Sequence, residues 1–81
     1  MNSDIVFPLY RKYKNEKSFF KITSISSFEE IIFMRNKATL HLFEAKILPD
    51  RNYILDMIYN YEPYWSLSSK EEFEEIKSKN Q

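Results

Sequence analysis

FEEIIFM (residues 28–34), RNK (35–37) and ATLHLFEAKI (38–47) carry the reading that decides the fold. Ser27 and Glu30 have the spacing of a capping box, which would open a short helix. Ile31, Ile32 and Phe33 are β-branched or aromatic and fit a pleated surface better. Two such runs around a short asparagine-containing break read as a β-hairpin, and the hairpin is the expected form.

On the N-terminal side, SFFKITSI (residues 18–25) is a third strand-like run. KNEK (14–17) is a polar break without glycine, where Asn15 is the residue expected to take a left-handed conformation. IVFPLYRKY (5–13) is extended in character. Pro8 lacks an N–H, so its strand either lies at a sheet edge or begins after the proline. On the C-terminal side, Pro49-Asp50 starts a helix with Asp50 as the expected N-cap. Ile47, Ile54, Ile58 and Tyr61 recur near the 3.6-residue period, with Leu55 beside them. Pro63 ends that helix. YWSLS (64–68) reads as a short last strand. Ser69-Lys70-Glu71-Glu72 then fits a capping box with acidic residues in the first turn. Phe73 and Ile76 give the second helix a narrow apolar stripe, and Lys77 and Lys79 suit its end. The expected order is β-β-β-β-α-β-α. It makes an α+β fold, a small antiparallel sheet with one or two helices packed on one face, within a single domain over residues 1–81.

Composition narrows the function. The chain has no Gly, no Cys and one His, against one Trp, six Tyr and seven Phe. Glycine is the usual residue where backbone approaches a phosphate or cofactor. Cysteine and histidine supply most soft metal ligands and many nucleophiles or bases. The expectation is a non-catalytic binding protein with no cofactor and no metal. A folded surface of roughly 5,000 Å² would give about 15% of itself to one standard protein–protein footprint.

Net charge is zero, which argues against a dedicated non-specific nucleic-acid binder. The charge is uneven: residues 1–46 hold eight Lys/Arg against five Asp/Glu, and residues 47–81 hold four against seven. A cysteine-free chain suits a reducing compartment. MNSDIVFPLYRKY has an early aspartate and no long apolar run, and no segment approaches the ~20 apolar residues of a membrane span. A cytoplasmic protein that does not enter membranes is expected. The wealth of Ile, Lys, Asn, Phe and Tyr matches AT-rich codons of a low-GC bacterium or its phage.

Few constellations could carry chemistry. His41 sits in a strand with Glu44 three residues on, so the two point to opposite faces and form no dyad. The pairs Glu29/Glu30, Glu71/Glu72 and Glu74/Glu75 read as solvated faces; on a helix such neighbours diverge by about 100°. The serines occupy no nucleophile elbow.

Two segments point to binding. Tyr10-Arg11-Lys12-Tyr13-Lys14, with Lys17, Phe19, Phe20 and Lys21, interleaves cations and aromatics. It is either a platform for single-stranded nucleic acid or an alternation with aromatics inward and lysines outward. Tyr59, Tyr61, Tyr64 and Trp65 are four large aromatics within seven residues around Pro63, too dense for a helix to bury entirely. Partner contact is expected through these four, with Arg11, Lys12 and Lys14 as a second, electrostatic contact.

FFKITSISSFEEI (19–31), FEAKILPDRN (43–52) and WSLSSKEEF (65–73) resemble small uncharacterised bacterial proteins. In kind, the chain is similar to phage-encoded anti-CRISPR proteins, among them inhibitors of type VI RNA-targeting effectors. That resemblance implies an inhibitor docking on a CRISPR-type nuclease or its guide-RNA complex, so a protein or ribonucleoprotein partner. The alternatives are a small RNA- or ssDNA-binding protein using the N-terminal basic–aromatic segment, and a bacterial accessory interaction module.

Overall fold

A computed structural model describes residues 5–35 and 37–79. The elements are β1 (Leu9–Tyr13), β2 (Ser18–Ser24), β3 (Ser27–Met34), β4 (Lys37–Glu44), α1 (Leu48–Tyr59), β5 (Trp65–Leu67) and α2 (Lys70–Lys79). The class and order are those expected. All five strands form one antiparallel sheet in the order β4-β3-β2-β1-β5.

The 28–34 segment is strand. Ser27 is not a helix cap: its hydroxyl bonds those of Thr23 at 2.6 Å and Ser24 at 2.8 Å, in the β2–β3 turn. β1 begins after Pro8 and lies inside the sheet, between β2 and β5. The glycine-free chain makes its tight turns by other means. In the β1–β2 turn Glu16 takes the left-handed conformation (φ 61°), a correction to the expectation for Asn15. Asn15 serves the turn with its side chain instead, its Oδ1 accepting from Lys17 N–H at 2.8 Å. Arg35 also has positive φ (58°); its neighbour Asn36 lies outside the described residues.

Strand alternation divides the apolar residues between two faces. Phe20, Ile22, Phe28 and Trp65 turn to one face, under Ile54, Met57 and Ile58 of α1. Phe19 and Ile31 turn to the other, under Phe73 of α2, with Tyr10, Phe33 and Ile76 around them. The helices therefore do not share one face: the longer covers the larger core and the shorter takes the opposite side. α2 is too polar to fill the larger core, because Phe73 is its one buried residue.

The helix starts differ in kind. α1 begins a turn earlier than expected. Ile47 is its N-cap, with no side-chain cap bond, and the first helical bond runs from Arg51 N–H to Ile47 O at 3.2 Å. Asp50 is therefore an acidic first-turn residue and not the cap, a position where the helix dipole favours it. Ser69 caps α2 as expected: its Oγ accepts from Glu72 N–H at 3.1 Å and its carbonyl from Phe73 N–H at 3.0 Å. Ser69→Ala is accordingly expected to cost about 1 kcal/mol. Asp50→Ala forfeits only a dipole interaction of about 0.3–1 kcal/mol. Urea melts of both variants check the order; an equal or larger loss at Asp50 would mean that the cap lies there after all.

Candidate functional site

The site is a cleft at the end of the sheet where the β1–β2 turn, the C-terminal half of α1 and the 60–65 turn meet. Its volume is about 860 Å³, within the range of small-ligand and side-chain pockets. Tyr13, Lys14 and Asn15 contribute one wall, Tyr53, Asp56 and Asn60 of α1 and its end another, and Pro63, Tyr64 and Trp65 the third.

Backbone bonds fix that third wall. Tyr61 O accepts from Tyr64 N–H at 3.0 Å and from Trp65 N–H at 2.7 Å, closing the turn that carries Pro63. Lys14 N–H then reaches Tyr64 O at 3.3 Å, tying the two turns together. α1 stops at Tyr59, before Pro63 could act on it, and Asn60 N–H bonds Asp56 O at 2.9 Å.

Trp65 is the floor, only 5% exposed. Its ring stacks on Tyr13 (5.8 Å, 15°) and meets Tyr53 and Tyr64 edge-on at 5.6 and 5.9 Å. Such aromatic contacts hold ring positions with about 0.5–1.5 kcal/mol each beyond burial. The indole N–H is buried and has no hydrogen-bond partner among the described residues. The hydroxyls of Tyr13 and Tyr53 bond each other at 2.9 Å. Burial, then that hydrogen bond, pushes the Tyr53 phenol above its ordinary range, so it stays protonated. Tyr64 is 68% exposed and stands at the mouth. Lys14 and Asp56 bring opposite charges to the rim, and neither side chain has an ion-pair partner among the described residues.

The residues singled out from sequence separate into three sets. Tyr64, Trp65 and Lys14 come together in the cleft. Tyr59 is exposed at the end of α1 and does not line it. Tyr61, Arg11 and Lys12 are engaged inside the fold. Arg11 is 8% exposed; its Nε donates to Met57 O at 2.8 Å, Nη1 to Tyr10 O at 2.9 Å and Nη2 to Ile58 O at 3.4 Å. Its guanidinium lies 4.7 Å from the centre of the Tyr61 ring. Burial lowers the Arg11 pKa from its ordinary value, which is so high that the group stays charged at neutral pH.

Lys12 Nζ donates to Glu16 at 2.8 Å and to Glu72 at 3.1 Å. The hydrogen bond from Ser68, then that from Lys12, holds the Glu72 carboxyl below its usual range despite partial burial. Lys21 pairs with Glu74 at 4.0 Å. The expected alternation with aromatics inward and lysines outward does not form: Tyr10, Lys12, Phe19 and Lys21 share the α2 face, and Arg11, Tyr13 and Phe20 share the α1 face, with Phe19 and Phe20 both buried. Among its cations only Lys14 and Lys17 stay unpaired within the described residues.

Sequence reasoning missed Tyr13, Asn15, Tyr53, Asp56, Asn60 and Pro63 as cleft residues. A signal existed for part of the wall: Tyr53, Asp56 and Asn60 are spaced three and four apart, the period of one helix face. Elsewhere, His41 is exposed on β4 opposite Glu30. Burial raises the Glu30 carboxyl against a lowering hydrogen bond from Ser18 and the charge of His41. No group of three or more His, Cys, Asp or Glu able to hold a metal ion occurs among the described residues, and no described helix is long and apolar enough to cross a membrane. A scan of protein-family models, a search of curated proteins and a search of solved structures each found no match to this chain.

Proposed function

We propose that this chain is a non-catalytic, cytoplasmic binding protein that receives a side chain of a protein or ribonucleoprotein partner in the Trp65 cleft. The observation that carries the reading is the pairing of an exposed tyrosine, Tyr64, with a rigid aromatic floor whose rim holds two uncompensated charges. Tyrosine and tryptophan are preferred interface anchors because they bury much area at low entropy cost. Rim charges of opposite sign orient a partner and speed encounter. The most concrete form of this reading follows the resemblance in kind to phage-encoded inhibitors: a stoichiometric inhibitor docking on a CRISPR-type nuclease or its guide-RNA complex. Nucleic acid is the less favoured partner, because Arg11 is buried against α1 and Lys12 and Lys21 pair with glutamates of this same chain.

Affinity capture from cells of the source, with and without nuclease treatment, followed by titration against the captured partner, tests this. Tyr64→Ala is expected to weaken binding by about thirtyfold, an anchor loss of ~2 kcal/mol. Tyr59→Ala, outside the cleft, is expected to bind normally. A partner lost on nuclease treatment, with affinity falling steeply as salt rises, would transfer the function to the nucleic-acid alternative.

A further inference from the structure

β4 is the long open edge of the sheet; among the described residues only β3 pairs with it. The opposite edge, β5, is three residues long. Folded proteins blunt their edges by shortness, prolines, bulges or charges in mid-strand. β4 has none of these. It carries no proline, its register with β3 runs unbroken from Ser27↔Glu44 to Met34↔Lys37, and its Lys and Glu stand at its two ends.

The phase of the ladder identifies which backbone groups the edge offers. Ala45 N–H donates to Ser26 O at 2.6 Å. Pairs that exchange bonds alternate along an antiparallel ladder, so residues 43, 41, 39 and 37 also turn their N–H and C=O toward β3. Residues 38, 40, 42 and 44 turn theirs outward. Leu40 and Leu42 stand on the face that α2 partly covers, 42% and 76% exposed, with Leu40 beside buried Ile31. His41 stands between them on the other face.

We propose that β4 pairs antiparallel with β4 of a second copy of this chain, in the register centred on His41, joining two five-stranded sheets into one. A two-fold axis normal to the sheet requires opposed residues to share a face, and this register meets that requirement. Leu40 of each copy then lies opposite Leu42 of the other, as bond-exchanging pairs built from the outward-turned residues. Ala38 lies opposite Glu44 and Thr39 opposite Phe43, so no fixed like charges meet. The four leucines form one patch continuous with the core around Ile31. Centring on Leu40 instead would set Leu42 against Ala38 and Lys37 against Phe43, separating the paired leucines and placing a charge against an apolar ring. This pairing leaves the Trp65 cleft open and does not depend on the function assigned to it.

The absence of cysteine makes the register measurable. At the axis His41 faces its own copy in a pair without backbone bonds, with Cα atoms about 4.5 Å apart, inside the range a disulfide spans. His41→Cys is expected to cross-link into a dimer under mild oxidation. Thr39→Cys, opposite Phe43, is expected to cross-link at least about tenfold less. Sedimentation equilibrium of the wild type at high micromolar concentration is expected to give twice the chain mass of 9.9 kDa. Leu42→Lys, at an exposed position that folding tolerates, is expected to weaken self-association by about tenfold or more, since it sets a charge in the leucine patch. A monomeric wild type at that concentration, or equal cross-linking from positions 39 and 41, overturns the proposal.

Discussion

Arg11→Ala is expected to lose about 3 kcal/mol of stability, which in a domain of this size is a fall in melting temperature of roughly 12–24 °C. The cause is position. Arg11 is in β1, yet its guanidinium bonds the carbonyls of Met57 and Ile58 in the last turn of α1. α1 carries no basic residue of its own in that turn. A helix C-terminus concentrates partial negative charge on carbonyls that lack intrahelical partners. Arg11 supplies from the sheet the cation that the helix lacks, and it does so across 46 residues of sequence.

Hydrogen bonds from a charged donor are worth about 1.5–3 kcal/mol, and a buried carbonyl left without a partner loses about 1–3 kcal/mol. The alanine variant suffers both and also loses the cation–π contact with Tyr61. Arg11→Lys keeps the charge but replaces the planar fork, whose Nε and Nη2 reach the two carbonyls separately, with one ammonium on a shorter arm, and should fall between. Thermal and urea melts of the two variants decide the matter. A side chain serving only as a surface contact for a partner would leave both melts at the wild-type value.

The same residue shows where the sequence was legible and where it was not. Strand and helix identity depends on local periodicity and branching, so Ile31-Ile32-Phe33 and residues 38–44 of the 38–47 run could be read correctly without tertiary information, while the strand's end at Glu44 and the helix entry at Ile47 could not. Ser69 is likewise local, since a cap and its N–H partner lie three residues apart. Asp50 failed because the choice between Ile47 and Asp50 as first residue turns on how the chain leaves β4. Glu16 took the left-handed position because Asn15 spent its side chain on Lys17 N–H, a competition between two bonds that composition does not rank.

Charge is the least local property of all. Arg11 and Lys12 look like free surface cations in a basic run, and only the docking of α1 and α2 shows that Arg11 is buried against α1 and Lys12 is paired to Glu72 of α2. The cleft was half visible for the same reason. Tyr64 and Trp65 are neighbours in sequence, whereas Tyr13 and Tyr53 reach each other from elements 40 residues apart.

Phe73→Ala is expected to cost about 3–5 kcal/mol, a substantial share of the ~5–15 kcal/mol that holds a small domain together. α2 meets the sheet through two kinds of contact, and their magnitudes decide which holds it. Among the described residues three ion pairs join helix to sheet: Lys12–Glu72 at 3.1 Å, Lys21–Glu74 at 4.0 Å and Lys77–Glu29 at 3.7 Å. Partly exposed pairs of this kind contribute about 0–1 kcal/mol each and weaken with salt. Phe73 is 0% exposed, its ring 5.8 Å from that of Tyr10, in a cluster with Phe19 and Ile31. Removing it opens a cavity between helix and sheet that rigid neighbours fill only in part. An isolated ten-residue helix is marginal in water. Without that anchor α2 should therefore detach before the sheet unfolds. Hydrogen exchange of Phe73→Ala is expected to show lost protection over Lys70–Lys79 while β2 and β3 keep theirs, and moderate salt should leave the wild-type helix docked. Protection retained in the variant, or wild-type α2 released by salt, would mean that the ion pairs hold the helix and the apolar contact does not.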